Sequence, residues 1–260
     1  MLYSITIFIL CCMCLSIAKK FPFNLPRCYT DDPKLTVNEC VLRAFNELRP
    51  IASNGIEDIG LPPLNPFVIP EIFMHEDLQM TNFTVTVFNY TIGGMDNYDI
   101  KEFQYDSESM TYRFRIEFET IIMSGSIQID GYVVNIPIVG NAYANCTFGP
   151  VNATFEIKGS TRKSKGIDYY NTENVCVNLD VADGGYSFVG LFDNNKQLER
   201  MTNEMLNANS AMVTKAATPL FEKLAEVGIA RFMKTLTKIP LHELFPSLHR
   251  YKFLCYCFYV

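Results

Sequence analysis

The chain has 260 residues, 48% of them hydrophobic, and carries 22 basic against 28 acidic side chains for a formal net charge of −6. Its largest basic cluster is Arg162-Lys163-Ser164-Lys165, which argues against nucleic acid as a partner, because phosphate binding needs clustered Lys and Arg. His75, His242 and His249 lack metal-ligand spacing, and no nucleophile elbow, zincin, P-loop or dinucleotide motif occurs in context, so no metal, cofactor or enzymatic activity is expected.

Residues 1–18 hold no charge, run apolar from Ile5 to Ile17 and end in Ser16-Ile17-Ala18 before Lys19-Lys20. This is the pattern of a cleaved signal peptide, and the run is too short for a bilayer span. Residues 19–246 show no linker, charge block or repeat and read as one domain. Residues 247–260, SLHRYKFLCYCFYV, form an atypical apolar tail. A secreted, extracellular monomer with no integral membrane span follows as the expectation.

Beyond the signal segment the cysteines are Cys28, Cys40, Cys146, Cys176, Cys255 and Cys257. Six cysteines allow fifteen connectivities; their order along the chain favours Cys28–Cys40 and Cys146–Cys176. Four sequons, at Asn82, Asn89, Asn145 and Asn152, point to glycosylation and so to secretion.

In chain order, TVNECVLRAFNELRPI predicts an amphipathic helix, with Val37, Val41, Ala44, Phe45 and Leu48 at 3-4 spacing. GIEDIGLPPLNPFVIPEI follows, with Pro62, Pro63, Pro66 and Pro70 among large apolar side chains. Its prolines reduce the need for hydrogen-bond partners, so Leu61, Leu64, Phe67 and Ile69 are expected to cover one end of a sheet. NFTVTVFNYTI changes parity: Phe83, Val85 and Val87 are odd, Phe88, Tyr90 and Ile92 even. A bulge near 87–88 restores one inward face and turns both Asn82 and Asn89 outward. YRFRIEFET places Tyr112, Phe114, Ile116 and Phe118 on one face, and VNATFEIK does the same with Val151, Ala153, Phe155 and Ile157. Pro137 in GYVVNIPIVGNAY belongs at an edge or bulge, where the sheet bends.

A long helix is predicted from near Asp193. Leu198, Met201, Met205, Ala208, Met212, Ala216, Leu220, Leu224 and Val227 step by three or four, with Pro219 either kinking the helix or opening a second one capped by Thr218. One apolar helix stripe and many one-faced strands predict an α+β fold: a strongly curved antiparallel β-sheet wrapped around one long C-terminal helix, plus a short N-terminal helix. With 20 Phe, 14 Tyr and 11 Met, apolar binding is a better expectation than catalysis.

Cys28 and Cys40, GIEDIGLPPLNPFVI, GMDNYDI, GYVVNIPIVGNAY, GLFDNNKQL and IPLHELFP, in this order over about residues 28 to 246, resemble the insect Takeout / juvenile hormone-binding protein family. Cys146 with Cys176 resembles the second disulfide of its hormone-binding branch. The resemblance implies a secreted carrier whose curved sheet and helix enclose an apolar tunnel for a small lipophilic ligand, such as a terpenoid or fatty acid. The expected lining is Leu64 and Phe67 at one mouth, then Phe114, Ile116, Phe118, Val133, Met201, Met205 and Met212, with a hydroxyl from Tyr132 or Tyr143. The rival expectation is a packed secreted glycoprotein that works through a receptor protein.

Overall fold

The computed structural model of the protein describes residues 20–78 and 81–247. Residues 1–19, which hold the expected signal segment, and, in the apolar tail, residues 248–260 with Cys255 and Cys257 lie outside the described residues.

The first helix, α1 (Val37–Ala52), starts where Thr36 and Glu39 form a reciprocal cap: the Glu39 N–H donates to Thr36 Oγ1 and the Thr36 N–H to Glu39 Oε2. A disulfide joins Cys40 in its first turns to Cys28. The proline-rich stretch beyond it is pinned by a short bridge between Ile56 and Leu61. Ile56 and Ile59 pack with Leu25 and Ile239, so the segment seals the end of the molecule where the long C-terminal helix finishes.

Among the described residues nine strands form two antiparallel sheets. Sheet one is ordered β1 (Phe67–Leu78), β2 (Thr81–Gly93), β5 (Ile121–Val133), β6 (Ile136–Phe148) and β9 (Gly184–Val189). Sheet two is ordered β3 (Tyr98–Asp106), β4 (Thr111–Phe118), β7 (Val151–Ser164) and β8 (Ile167–Val181). The curved sheet is thus divided in two, and the chain crosses between the halves at β2–β3, β4–β5, β6–β7 and β8–β9.

Period-2 burial runs through sheet one: on β6, Ile138, Ala142, Ala144, Cys146 and Phe148 are buried and the residues between them exposed apart from the half-buried Gly140. The β2 pairing with β5 slips between Phe88 and Thr91, where Asn89 has φ 46°. This is the expected bulge, one to two residues further on, and it brings Tyr90 to the inner face. GYVVNIPIVGNAY is a hairpin: Val134 and Asn135, at φ 51° and 61°, turn the chain from β5 into β6. Pro137 then pairs with Tyr132 on a stretch of β6 that β9 does not reach, an edge position where its missing N–H costs no ladder bond.

Two helices fill the concave side, α2 (Lys196–Ala208) and α3 (Ser210–Leu236), followed by the single turn α4 (Leu241–Leu244). The break falls at Asn209, whose φ of −118° leaves the helical region; Pro219 lies inside α3, which runs through it. At 27 residues α3 is about 40 Å long. Its N-terminal half packs on sheet one and its C-terminal half on sheet two with α1.

The packing of α2 reverses the expected amphipathic reading. Leu198, Met201, Met205 and Met212 are 44%, 49%, 45% and 47% exposed, whereas the polar residues Glu199 and Thr202 are buried. The cause is the free edge of β9, whose backbone groups would otherwise be left without partners. The Gly190 N–H donates to Glu199 Oε2 at 2.6 Å. Asn203 accepts from the Phe188 N–H at 2.9 Å and donates to its carbonyl at 2.8 Å. Asn207 does the same for Tyr186 at 2.9 and 2.7 Å. Four helical residues rise about 6.0 Å and two strand residues about 6.6 Å, so positions i, i+4 and i+8 of a helix can serve alternate residues of an antiparallel edge. The device recurs on α3, where Glu222 and Glu226 accept from the Leu179 and Val177 N–H groups of β8, and on α1, where Asn38 accepts from the Tyr105 N–H of β3.

Candidate ligand cavity

Between the inner face of sheet one and the α2–α3 junction lies an apolar cavity of about 120 Å³. Phe83, Val85 and Val87 of β2 and Ile127, Ile129 and Val133 of β5 form its floor. Leu206, Val213, Leu220 and Phe221 of α2 and α3 form the roof, and Ile69, Ile72 and Met74 of β1 one side. β5 and β6 contribute by the alternation that buries every second residue, whereas β1 and β2 change parity between Ile69 and Ile72 and between Val87 and Tyr90. Phe148 and Phe221, ring centroids 5.1 Å apart and edge to face, close one wall. The volume holds on the order of ten water-sized bodies.

No lining residue is ionisable near neutral pH. The polar groups are the hydroxyls of Tyr90 and Tyr186 and the thiol of Cys146. Tyr186 shares a hydrogen bond of 2.7 Å with Thr214 Oγ1; burial, more than any neighbour, pushes its hydroxyl up to about 12. The Cys146 thiol is pushed up to about 12, again by burial. The Tyr90 hydroxyl is raised well above its usual range by burial first and by the adjacent Cys146 second, and it has no hydrogen-bond partner among the described residues. All three groups are therefore neutral at physiological pH.

A second depression, of about 430 Å³, opens between β8 and α3. It is larger but open and polar, lined by Thr172, Glu173, Asn174, Glu226 and Lys234. It begins where Ala230 follows Glu222 and Glu226 in the i+4 series and has no side-chain acceptor for β8.

The family model described as "Haemolymph juvenile hormone binding protein (JHBP)" matches residues 7–246. The chain belongs to the JHBP family. The crystal structure of Takeout 1 from Epiphyas postvittana superimposes with a TM-score of 0.71, covering 86% of this chain and 100% of that one at 18% identity. That likeness establishes the fold: a curved antiparallel sheet around a long helix. The circadian clock-controlled protein daywake of Drosophila melanogaster is 20% identical over 234 residues, 86% of this chain and 88% of its own length.

In this JHBP-family chain, Val133 alone of the expected lining residues reaches the cavity. Met201, Met205 and Met212 face solvent because α2 turns its polar side to β9. Tyr132 and Tyr143 are 39% and 53% exposed, since they alternate with the inward Val133, Ala142 and Ala144. Phe114 stacks on Phe155 at 4.7 Å and packs with Ile116 and Phe118 in the core of sheet two. Leu64 and Phe67 are half-buried and absent from the lining; the Leu64 N–H is instead held by the Ala52 and Ser53 carbonyls at the end of α1.

The Cys146–Cys176 pairing is overturned. Cys146 is buried on β6 of sheet one and Cys176 exposed on β8 of sheet two, both as free thiols. The asparagines of the four sequons are exposed or half-buried on strands β2, β6 and β7. Among the described residues no His, Cys, Asp and Glu side chains cluster as a metal site, and no helix is long and apolar enough to cross a membrane.

Tyr90, Cys146 and Tyr186 were missed as cavity groups. Tyr90 was readable from the parity change in NFTVTVFNYTI, and Cys146 from the alternation Ala142, Ala144, Cys146. Leu206 and Val213 had no such signal, because each sits beside a more hydrophobic stripe that turns out to face water.

Proposed function

We propose that the protein is a secreted, monomeric carrier of a small uncharged lipophilic ligand, formed by residues 19–246 and held in the cavity between sheet one and α2–α3. The observation that carries this reading is the cavity's composition: apolar walls and three neutral polar groups, one of which, the Tyr90 hydroxyl, has no hydrogen-bond partner among the described residues. Membership of the JHBP family supports it. The lack of a charged lining group favours an ester, ether, aldehyde or alcohol over a fatty-acid anion, since a buried carboxylate without a partner is strongly disfavoured.

Burying about 400 Å² of ligand contributes roughly 10 kcal/mol at 25 cal/mol per Å². Association removes about 4 kcal/mol or more, leaving a Kd in the tens of micromolar. A hydrogen bond to Tyr90 adds about 1 kcal/mol and brings it to the micromolar range. A ligand longer than about ten heavy atoms needs Phe221 or Met74 to swing aside.

The test is native mass spectrometry of protein secreted from insect cells, with solvent extraction of co-purifying lipid and displacement of the neutral probe N-phenyl-1-naphthylamine. A fatty-acid methyl ester is expected to displace the probe at lower concentration than the free acid. Absence of both bound lipid and probe binding refutes the carrier and returns the packed-glycoprotein reading.

A further inference from the structure

The free edge of β8 is only partly served by α3. Glu222 and Glu226 accept from the Leu179 and Val177 N–H groups at 2.9 and 3.2 Å. Period-2 alternation turns the Val175 N–H to the same edge, but there the i+4 series brings Ala230, whose side chain accepts nothing. The depression of about 430 Å³ opens at this point, and the Thr172 hydroxyl in its lining is buried without a hydrogen-bond partner among the described residues. Val227 and Ala230 stand exposed along its helix side. A strand edge with unmet backbone groups beside an open groove is the setting in which an extended segment adds as a further strand.

Residues 248–260, LHRYKFLCYCFYV, suit this edge in composition, charge and starting point. Tyrosine, phenylalanine and valine, which favour strands, dominate them. His249, Arg250 and Lys252 come with no Asp or Glu, and the groove holds Glu173 and Glu226 against Lys234. The edge of β7 beyond Lys158, which β4 does not cover, instead carries Arg162 and Lys163 and repels such a segment. Phe245 stacks on Tyr105 and Tyr112 with ring centroids 5.5 and 6.3 Å away, and the ladder register sets Tyr105, Tyr112, Ile157 and Val175 on one row across sheet two. Three strand spacings, about 15 Å, separate that anchor from the edge of β8. Extended, residues 248–260 reach about 43 Å, so a path around α4 leaves about six residues to pair along the edge.

We infer that the tail, residues 248–260, adds to the free edge of β8 at Val175 as an extra strand of sheet two. Cys176, exposed on β8 with a free thiol, then lies beside it. Cys255 and Cys257 share one face of an extended segment, about 6.6 Å apart, so a slip of two residues still brings one of them opposite Cys176. Neighbouring strands hold opposite Cα atoms about 4.5–5.5 Å apart, within the range that a disulfide spans. The docked strand can therefore be locked by oxidised glutathione. The Cys176 thiolate attacks its S–S bond and releases one glutathione thiol; the tail thiolate attacks the mixed disulfide and releases the second, leaving Cys176 bonded to the tail and both protons on glutathione. That the lock closes in an extracellular, oxidising compartment is the one link that rests on the secretion reading.

The experiment uses the full chain with its exposed thiols reduced. Amide exchange at Val175 is expected to be about tenfold or more slower than in the double variant Leu254→Pro with Tyr256→Pro, which removes two N–H groups and the extended pairing of the tail. On addition of oxidised glutathione, mass spectrometry of unreduced peptides is expected to find Cys176 joined to the peptide of Cys255 and Cys257 within a monomer, at a yield several-fold above that of the double variant. Cys146, closed to maleimide in both proteins, reports that the fold is intact. Equal exchange at Val175 in the two proteins, or equal crosslinking, overturns the added strand. So does oxidation that gives only a Cys255–Cys257 bond, a glutathione adduct on Cys176 or a disulfide-linked dimer. A crosslink in the purified chain together with a failure of insect cells to secrete it supports the strand and removes only the secretion reading.

Discussion

Replacing Asn203 by leucine tests the central packing feature of the molecule. Asn203 is half-buried and makes two hydrogen bonds to one residue of β9, at 2.9 Å to the Phe188 N–H and 2.8 Å to its carbonyl. Leucine is close in size and offers neither, leaving a donor and an acceptor on an edge that α2 still shields. Each lost bond is worth about 1 kcal/mol, and an unsatisfied buried group costs about 1–3 kcal/mol. With water reaching part of the edge, a loss of about 2–4 kcal/mol follows. The neighbouring Met201→Ala, at a position 49% exposed, is expected to change stability by no more than about 0.5 kcal/mol. If Met201 instead belonged to the core, its truncation would cost about 2–5 kcal/mol and Asn203→Leu almost nothing. Urea denaturation of the two variants, with amide hydrogen exchange at Phe188, separates the cases. A cost below about 0.5 kcal/mol for Asn203→Leu, with unchanged protection at Phe188, refutes the edge-clamp reasoning.

Tyr90→Phe is expected to leave stability within about 0.5 kcal/mol, because the hydroxyl has no hydrogen-bond partner among the described residues, and to weaken an oxygen-bearing ligand about three- to tenfold in probe displacement. Val213→Phe fills the roof of the cavity and is expected to reduce probe occupancy more than it changes the urea midpoint. The Glu199 carboxyl is held below its ordinary value of 4.5 by the Gly190 N–H first and Lys196 second. A depressed carboxylate adds stability above the unfolded-state value and loses it as pH falls through the folded one, so Glu199→Gln is expected to flatten the stability profile below about pH 4.5. Cys176 is exposed and Cys146 buried with its thiol pushed up to about 12; a maleimide at neutral pH is expected to label Cys176 in the folded protein and Cys146 only after denaturation.

Most of the architecture is legible in the sequence. Strand alternation in YRFRIEFET and VNATFEIK, the capped helix at Thr36 and the parity change in β2 all report local geometry, which side-chain period encodes directly. The site is less legible, for two physical reasons. Hydrophobic periodicity locates an apolar helix face but does not say what lies opposite, and in α2 the opposite face answers an edge strand's need for hydrogen bonds. The Val134–Asn135 turn carries none of the glycine that marks a tight hairpin, so GYVVNIPIVGNAY reads as one apolar run, which does not show that Tyr132 and Tyr143 alternate outward with Val133 and Ala142. The Cys146–Cys176 expectation failed because order along the chain does not reveal that the two strands belong to different sheets.

The side-chain rungs between α2 and β9 also restrict how the molecule can change shape. They behave as a rack with a pitch of about 6 Å, and a slide of the helix breaks every rung before the next register forms. In that register Asn207 meets Phe188, and Tyr186 is left facing Ala211, which offers no side-chain hydrogen bond. Small adjustments of α2 along β9 are thus suppressed. With α2 fixed, the cavity lengthens through rotamers of its lining side chains, Phe221 of α3 and Met74 of β1 among them.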